Sequence, residues 1–162
     1  MNLSENSSRE DILKYIKKSS FHFLYDFSHE IWAQPYLDEA AKRSLKESPL
    51  NFLHYFSDKP WAQSYLDVAA KEALKENPFN FLHKFSDKPW AQPYMDEAAN
   101  GAAKENPYYF LYYFSDKPWA QPYIDKAVNK VAKINPKYFL EEWADRFPQG
   151  INLALFALGD KK

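Results

Sequence analysis

The sequence predicts an all-α protein: an α-solenoid of tandem 29-residue helix-turn-helix repeats, closed by capping helices at its N- and C-terminal ends. Three observations carry this expectation. Trp32, Trp61, Trp90 and Trp119 are spaced by 29 residues, and Pro49, Pro78, Pro107 and Pro136 keep the same step. The phrase FSDKPWAQPY stands at 85–94 and again at 114–123, with close variants at 56–65 and 27–36. Between the phrases, apolar residues recur at helical spacing. A lone unit of this length cannot bury enough apolar surface to offset its own ordering, so the units must stack. The chain therefore parses as a single domain, 1–162, of about ten or eleven helices with right-handed stacking. Residues 1–19 form an N-terminal cap, the repeats are 20–48, 49–77, 78–106 and 107–135, and 136–162 is a C-terminal partial repeat and cap.

Residues 8–18 read as a lone second helix, because Ile12 and Ile16 shifted by 29 land on Ala41 and Leu45. Each repeat opens with a short first helix, exemplified by NPFNFLHKF at 77–85. Asn77 is a good N-cap, and Pro78 suits the first helical position, where its missing N–H would be unpaired anyway. Phe81, Leu82 and Phe85 make a compact apolar stripe. Ser86-Asp87-Lys88-Pro89 then interrupts the helix, since the residue before a proline is pushed out of the helical region. Pro89 and Pro93 cannot both sit inside one regular helix. Ser86 to Gln92 is therefore expected to form a capped turn or short 3-10 segment, with the regular helix starting near Pro93. That second helix carries Tyr94, Met95, Ala98, Ala99, Ala102 and Ala103, and Asn106-Pro107 both ends it and starts the next unit. At the far end, 136–147 copies a first helix with Trp143 in place of phenylalanine, 151–158 is an apolar closing helix, and Lys161-Lys162 lies in water. The rings at Phe23/52/81/110, Phe27/56/85/114, Trp32/61/90/119 and Tyr36/65/94/123 are expected to form one buried column.

Composition narrows the function. There are 21 basic residues against 22 acidic ones, net charge −1, so no overall field draws in a polyanion and nucleic acid is not the expected partner. The absence of cysteine excludes disulfides, thiolate metal sites and cysteine nucleophiles. No apolar run reaches membrane-spanning length, and MNLSENSSREDILKYIKK lacks the apolar stretch of a secretory signal, so the expectation is no membrane and a cytoplasmic location. Gly101, Gly150 and Gly159 cannot build a phosphate loop. His22, His29, His54 and His83 lack zinc-ligand spacing. Asp38, Asp67, Asp96 and Asp125 recur singly, as caps or inter-repeat hydrogen-bond partners rather than acid–base pairs. No catalytic residue, metal site or cofactor is expected, and the chain is not read as an enzyme.

Overlaying the units separates positions that repeat from positions that vary. The varying first-helix positions are His22/Asn51/Asn80/Tyr109, Tyr25/His54/His83/Tyr112 and Asp26/Tyr55/Lys84/Tyr113, which share one face opposite the Phe-Leu stripe. Tyr and His combine contact area with hydrogen bonding at modest entropy cost. Tyr25, His54, Tyr55, His83, Lys84, Tyr109, Tyr112 and Tyr113 are therefore the candidate partner-binding residues. Varying second-helix positions carry mixed charge and read as a solvated face.

The stretch LHKFSDKPWAQPYMDEAANGAAKENP, an apolar short helix followed by Ser-Asp-x-Pro and an Ala-rich helix, resembles the short HEAT-type repeats of the armadillo/HEAT superfamily. The resemblance covers nearly the whole chain. It implies an α-solenoid that binds a protein, peptide or nucleic acid along an extended face, with second helices lining the concave side. Together these readings give a non-catalytic scaffold for a protein or peptide, monomeric rather than homo-oligomeric. The alternative is a structural or self-assembling array, natural or consensus-engineered, with no external ligand.

Overall fold

The computed structural model describes residues 3–159, whose regular secondary structure is all helical, with no strand among them. Ten α-helices occur among them: α1 Arg9–Phe27, α2 Leu37–Glu47, α3 Pro49–Phe56, α4 Leu66–Glu76, α5 Pro78–Phe85, α6 Met95–Glu105, α7 Pro107–Phe114, α8 Gln121–Ile134, α9 Pro136–Glu142 and α10 Ile151–Gly159. Short 3-10 segments precede the even-numbered helices: Ile31–Tyr36, Pro60–Tyr65, Pro89–Tyr94, Pro118–Ala120 and Pro148–Gly150. The closing Lys161 and Lys162 lie outside the described residues. No helix among those described is long and apolar enough to cross a membrane.

The chain forms two compact units, Met1–Glu76 and Asn77–Lys162. Within the first, α1 packs on α2, α2 on α3 and α4, and α3 on α4. Within the second, α5 packs on α6 and α7, α6 on α7 and α8, and α8 on α7, α9 and α10, which also pack together.

One backbone break sets the helix boundaries. Ser48, Asn77, Asn106 and Asn135 leave the helical region at φ −158°, −160°, −129° and −138°, each just before a proline. Proline's ring forbids the helical conformation to the residue before it. Ser19, 29 residues before Ser48, breaks α1 at φ −158° although serine follows it. Its break separates the Lys-rich 9–18 segment from the first Phe-Leu helix. Asn77 caps α5, its side chain accepting from the Asn80 N–H at 2.9 Å.

The 3-10 segments correct one expectation. Pro93 lies inside Pro89–Tyr94, and the regular helix begins at Met95, two residues later than Pro93. A 3-10 turn suits the proline φ, whereas an α-helix interior would clash with the carbonyl four residues back. In the last copy of the phrase the helix starts earlier, at Gln121, with Pro122 in its first turn.

The glutamine of the phrase holds this turn. Gln63 Nε2 donates to the Ser57 carbonyl at 2.7 Å and to the Lys59 carbonyl at 3.1 Å. Gln34, Gln92 and Gln121 make the equivalent pair of bonds to Ser28 and Glu30, Ser86 and Lys88, and Ser115 and Lys117. The amide thus gives a partner to the serine carbonyl at the end of the short helix and adds a second bond to the Lys59-type carbonyl, which already accepts the backbone N–H three residues on.

Phe23, Phe52, Phe81, Phe110 and Phe139 are fully buried, as are the alanines Ala69, Ala70, Ala98, Ala99, Ala102 and Ala103 on the second helices. Small residues there let helices approach, and the phenyl rings fill the space between. Each buried ring contributes roughly 2–3 kcal/mol before entropy is subtracted. The tryptophans depart from the expected buried column: Trp32, Trp61, Trp90 and Trp119 are only half-buried. Their rings stand edge-on to the core phenylalanines, as Trp61 does to Phe52 at 6.1 Å and 79°.

Polar links join a second helix to the segment that leads into or opens the next one. Tyr65 donates to Asp38 and Tyr123 to Asp96, each at 2.8 Å, and Gln149 donates to Asp125 at 3.1 Å. These three aspartates are therefore hydrogen-bond partners of the segment that follows them.

Candidate functional site

The eight-residue helices α3, α5 and α7 bury one side and leave the other in solvent. Phe52, Leu53 and Phe56 on α3, with their counterparts on α5 and α7, turn inward. The remaining side chains have to point outward, because residues three and four apart share a face. Every predicted contact residue lies on that outer side: Tyr25, Tyr55, Tyr109, Tyr112 and Tyr113 are exposed, and so are His54, His83 and Lys84.

In the first unit, Tyr25, His54 and Tyr55 come together. Tyr25 and Tyr55 meet edge-to-face at 5.9 Å, and His54 meets Tyr55 at 4.8 Å. Half-buried Phe21 lies beneath, stacked on Tyr25 at 6.1 Å and edge-on to Tyr55 at 5.1 Å. Tyr25 and Tyr55 also line a hollow of about 570 Å³ with His29, Lys59 and Trp61.

In the second unit, His83, Tyr109 and Tyr113 gather around half-buried Phe79. His83 meets Tyr113 at 5.3 Å, while Phe79 lies 5.7 Å from Tyr109 and 5.8 Å from Tyr113. Tyr112 packs on Tyr113 at 5.0 Å and 75°. Lys84 stays on the same helix, outside the ring contacts.

Sequence reasoning missed part of this surface. Tyr109, Tyr112 and Tyr113 share a cleft of about 320 Å³ with Tyr108, Tyr138 and Trp143. Tyr108 and Tyr138 meet at 5.6 Å and 66°. The signal was present, since Tyr138 is Tyr109 shifted by 29 into the partial repeat, and Tyr108 is Phe79 shifted likewise. No charged side chain lines the cleft. Burial pushes the Tyr108 phenol above its ordinary pKa, with a hydrogen bond to Asn135 opposing it and Tyr138 adding to it.

Elsewhere the chemistry is sparse. Among the described residues, no group of three or more His, Cys, Asp or Glu side chains is placed to hold a metal ion. The chain matches no protein-family model, no curated protein and no solved structure.

Proposed function

We propose that this chain is a non-catalytic helical scaffold, an α-solenoid of 29-residue units related to the HEAT and armadillo repeats, that binds a protein or peptide along its first-helix faces. The observation that carries the reading is the clustering of exposed rings on helices whose opposite sides are fully buried. Tyr112 is 69% exposed and Tyr25 59%, yet both are held in ring contacts by neighbours. Rings fixed before binding lose little entropy when a partner covers them, the property that makes tyrosine frequent in binding surfaces. The test is selection of a random peptide display library on the intact chain and on a variant carrying Tyr25→Ala, His54→Ala, His83→Ala and Tyr112→Ala. The scaffold reading expects peptides enriched by the wild type and released by the variant, with helical circular dichroism unchanged. Equal retention by both proteins would remove these faces from the function.

A second reading, self-assembly, is favoured by one observation. In α10, Leu155, Phe156 and Leu158 are 53%, 66% and 39% exposed, an apolar face that another copy would cover. A mass that rises with concentration in sedimentation, and that Phe156→Glu holds at the monomer value, would favour assembly over scaffolding.

A further inference from the structure

Resting on the peptide-binding reading above, we infer that the tyrosine cleft of the second unit reads proline: it takes a proline-rich segment in the extended polyproline II conformation. The cleft is lined by five tyrosines, Tyr108, Tyr109, Tyr112, Tyr113 and Tyr138, together with Trp143. Edge-to-face pairs at 5.0 and 5.6 Å turn ring faces and ring edges toward the same space. Aromatic faces carry the negative end of the ring quadrupole. The C–H groups of a pyrrolidine ring beside an amide are polarised the opposite way, and they are flat enough to lie on such a face.

Hydrogen-bond complementarity points to the same ligand. The exposed Tyr109 and Tyr112 supply phenol O–H donors at the rim. A proline-rich strand supplies carbonyl acceptors that no internal bond consumes, and it brings no N–H that would need an acceptor. Its conformation is already set before binding, so an open cleft without an enclosing wall can still hold it.

Other ligand chemistries fit less well. An anion would need a cation in the lining, and none is there. A saccharide's vicinal hydroxyls call for carboxylate or carboxamide partners, and the six lining side chains include none. An amphipathic helix would need aliphatic sockets spaced along a groove, whereas this cleft is short and entirely aromatic.

The experiment is fluorescence anisotropy of labelled decaproline titrated with the full chain, alongside maltohexaose as competitor. Saturable binding is expected, weakened about tenfold or more by Tyr112→Ala and by Tyr138→Ala. Val68→Ala, on the exposed side of α4 in the other unit, should leave it unchanged, and maltohexaose should not compete. Both cleft residues are exposed, and circular dichroism would establish that the variants fold. No saturation, insensitivity to Tyr138→Ala, or displacement by maltohexaose would overturn the assignment. Peptides recovered from the display library separate the two ideas, because Tyr138 lies outside the fourfold variant. Recovered peptides without proline that still bind Tyr138→Ala would remove the ligand class and leave peptide binding standing. Failure to recover any peptide would remove both.

Discussion

The phenol of Tyr65 donates to Oδ1 of Asp38 at 2.8 Å, while Lys42 holds the carboxylate's other oxygen at 2.8 Å. Burial, and then the bond to Asp38, push Tyr65 from its ordinary value of 10 up to about 12. The hydrogen bond from Lys42, and then that from Tyr65, hold Asp38 below its usual range. The folded state thus keeps the Tyr65 proton after the unfolded chain has lost it. Stability from this group is complete below pH 10 and falls as pH rises toward about 12. Urea titrations across that window should show a steeper loss in the wild type than in Tyr65→Phe, which has no phenol to ionise. Parallel slopes would remove the linkage.

Gln63→Ala should unlock the turn that starts α4. The amide satisfies the Ser57 and Lys59 carbonyls, and Ser57 is buried. Losing these bonds costs about 1 kcal/mol. The urea midpoint should drop while the slope stays constant, and Gln63→Glu, which cannot donate, should behave alike.

Two glycines should respond in opposite directions to alanine. Gly150 is buried, and an added methyl would collide with the Phe139 ring and sit 2.7 Å from Val128 Cγ1. Gly150→Ala should therefore destabilise by about 1–3 kcal/mol. Gly101 lies inside α6, where glycine is a poor helix former, and its new methyl would meet only the Pro78 ring, at 2.9 Å from Cγ. The Pro78 ring must shift by a few tenths of an ångström, and Glu72 and Lys130 occupy the corresponding places in other units. Gly101→Ala should gain up to about 1 kcal/mol, read as a higher Tm.

Stability and binding should separate between the two sides of the short helices. Phe81 is fully buried, so Phe81→Ala should cost about 3–5 kcal/mol. Tyr112 is mostly exposed, and Tyr112→Ala should change stability by less than about 0.5 kcal/mol while weakening peptide binding. Chemical denaturation and the anisotropy titration together check the pair.

Local signals made much of this fold legible. Asn-Pro and Ser-Pro announce each helix start because proline restricts its predecessor, and the Phe-Leu stripes name the buried side. The Ser19 break was legible only by shifting Ser48 back one period, since no proline marks it. Other features depend on partners that periodicity does not display. The bonds of Gln63 run to carbonyls four and six residues back, a relation with no apolar signature. Trp61 reads as core from its spacing, yet its ring stands at the edge of Phe52 and stays only partly buried. The candidate contact residues followed from overlaying the full units. Tyr138 escaped because it belongs to the incomplete unit, which an overlay of full units does not contain.

The glutamine bonds also bear on inheritance. Each joint is closed by groups at most six residues apart, so a joint travels whole with its own segment. FSDKPWAQPY stands letter for letter at 85–94 and 114–123, so the segments carrying it can be aligned and exchanged in phase. Exchange in phase would add or delete a segment without orphaning a single turn carbonyl. Length then becomes a trait adjustable in whole segments.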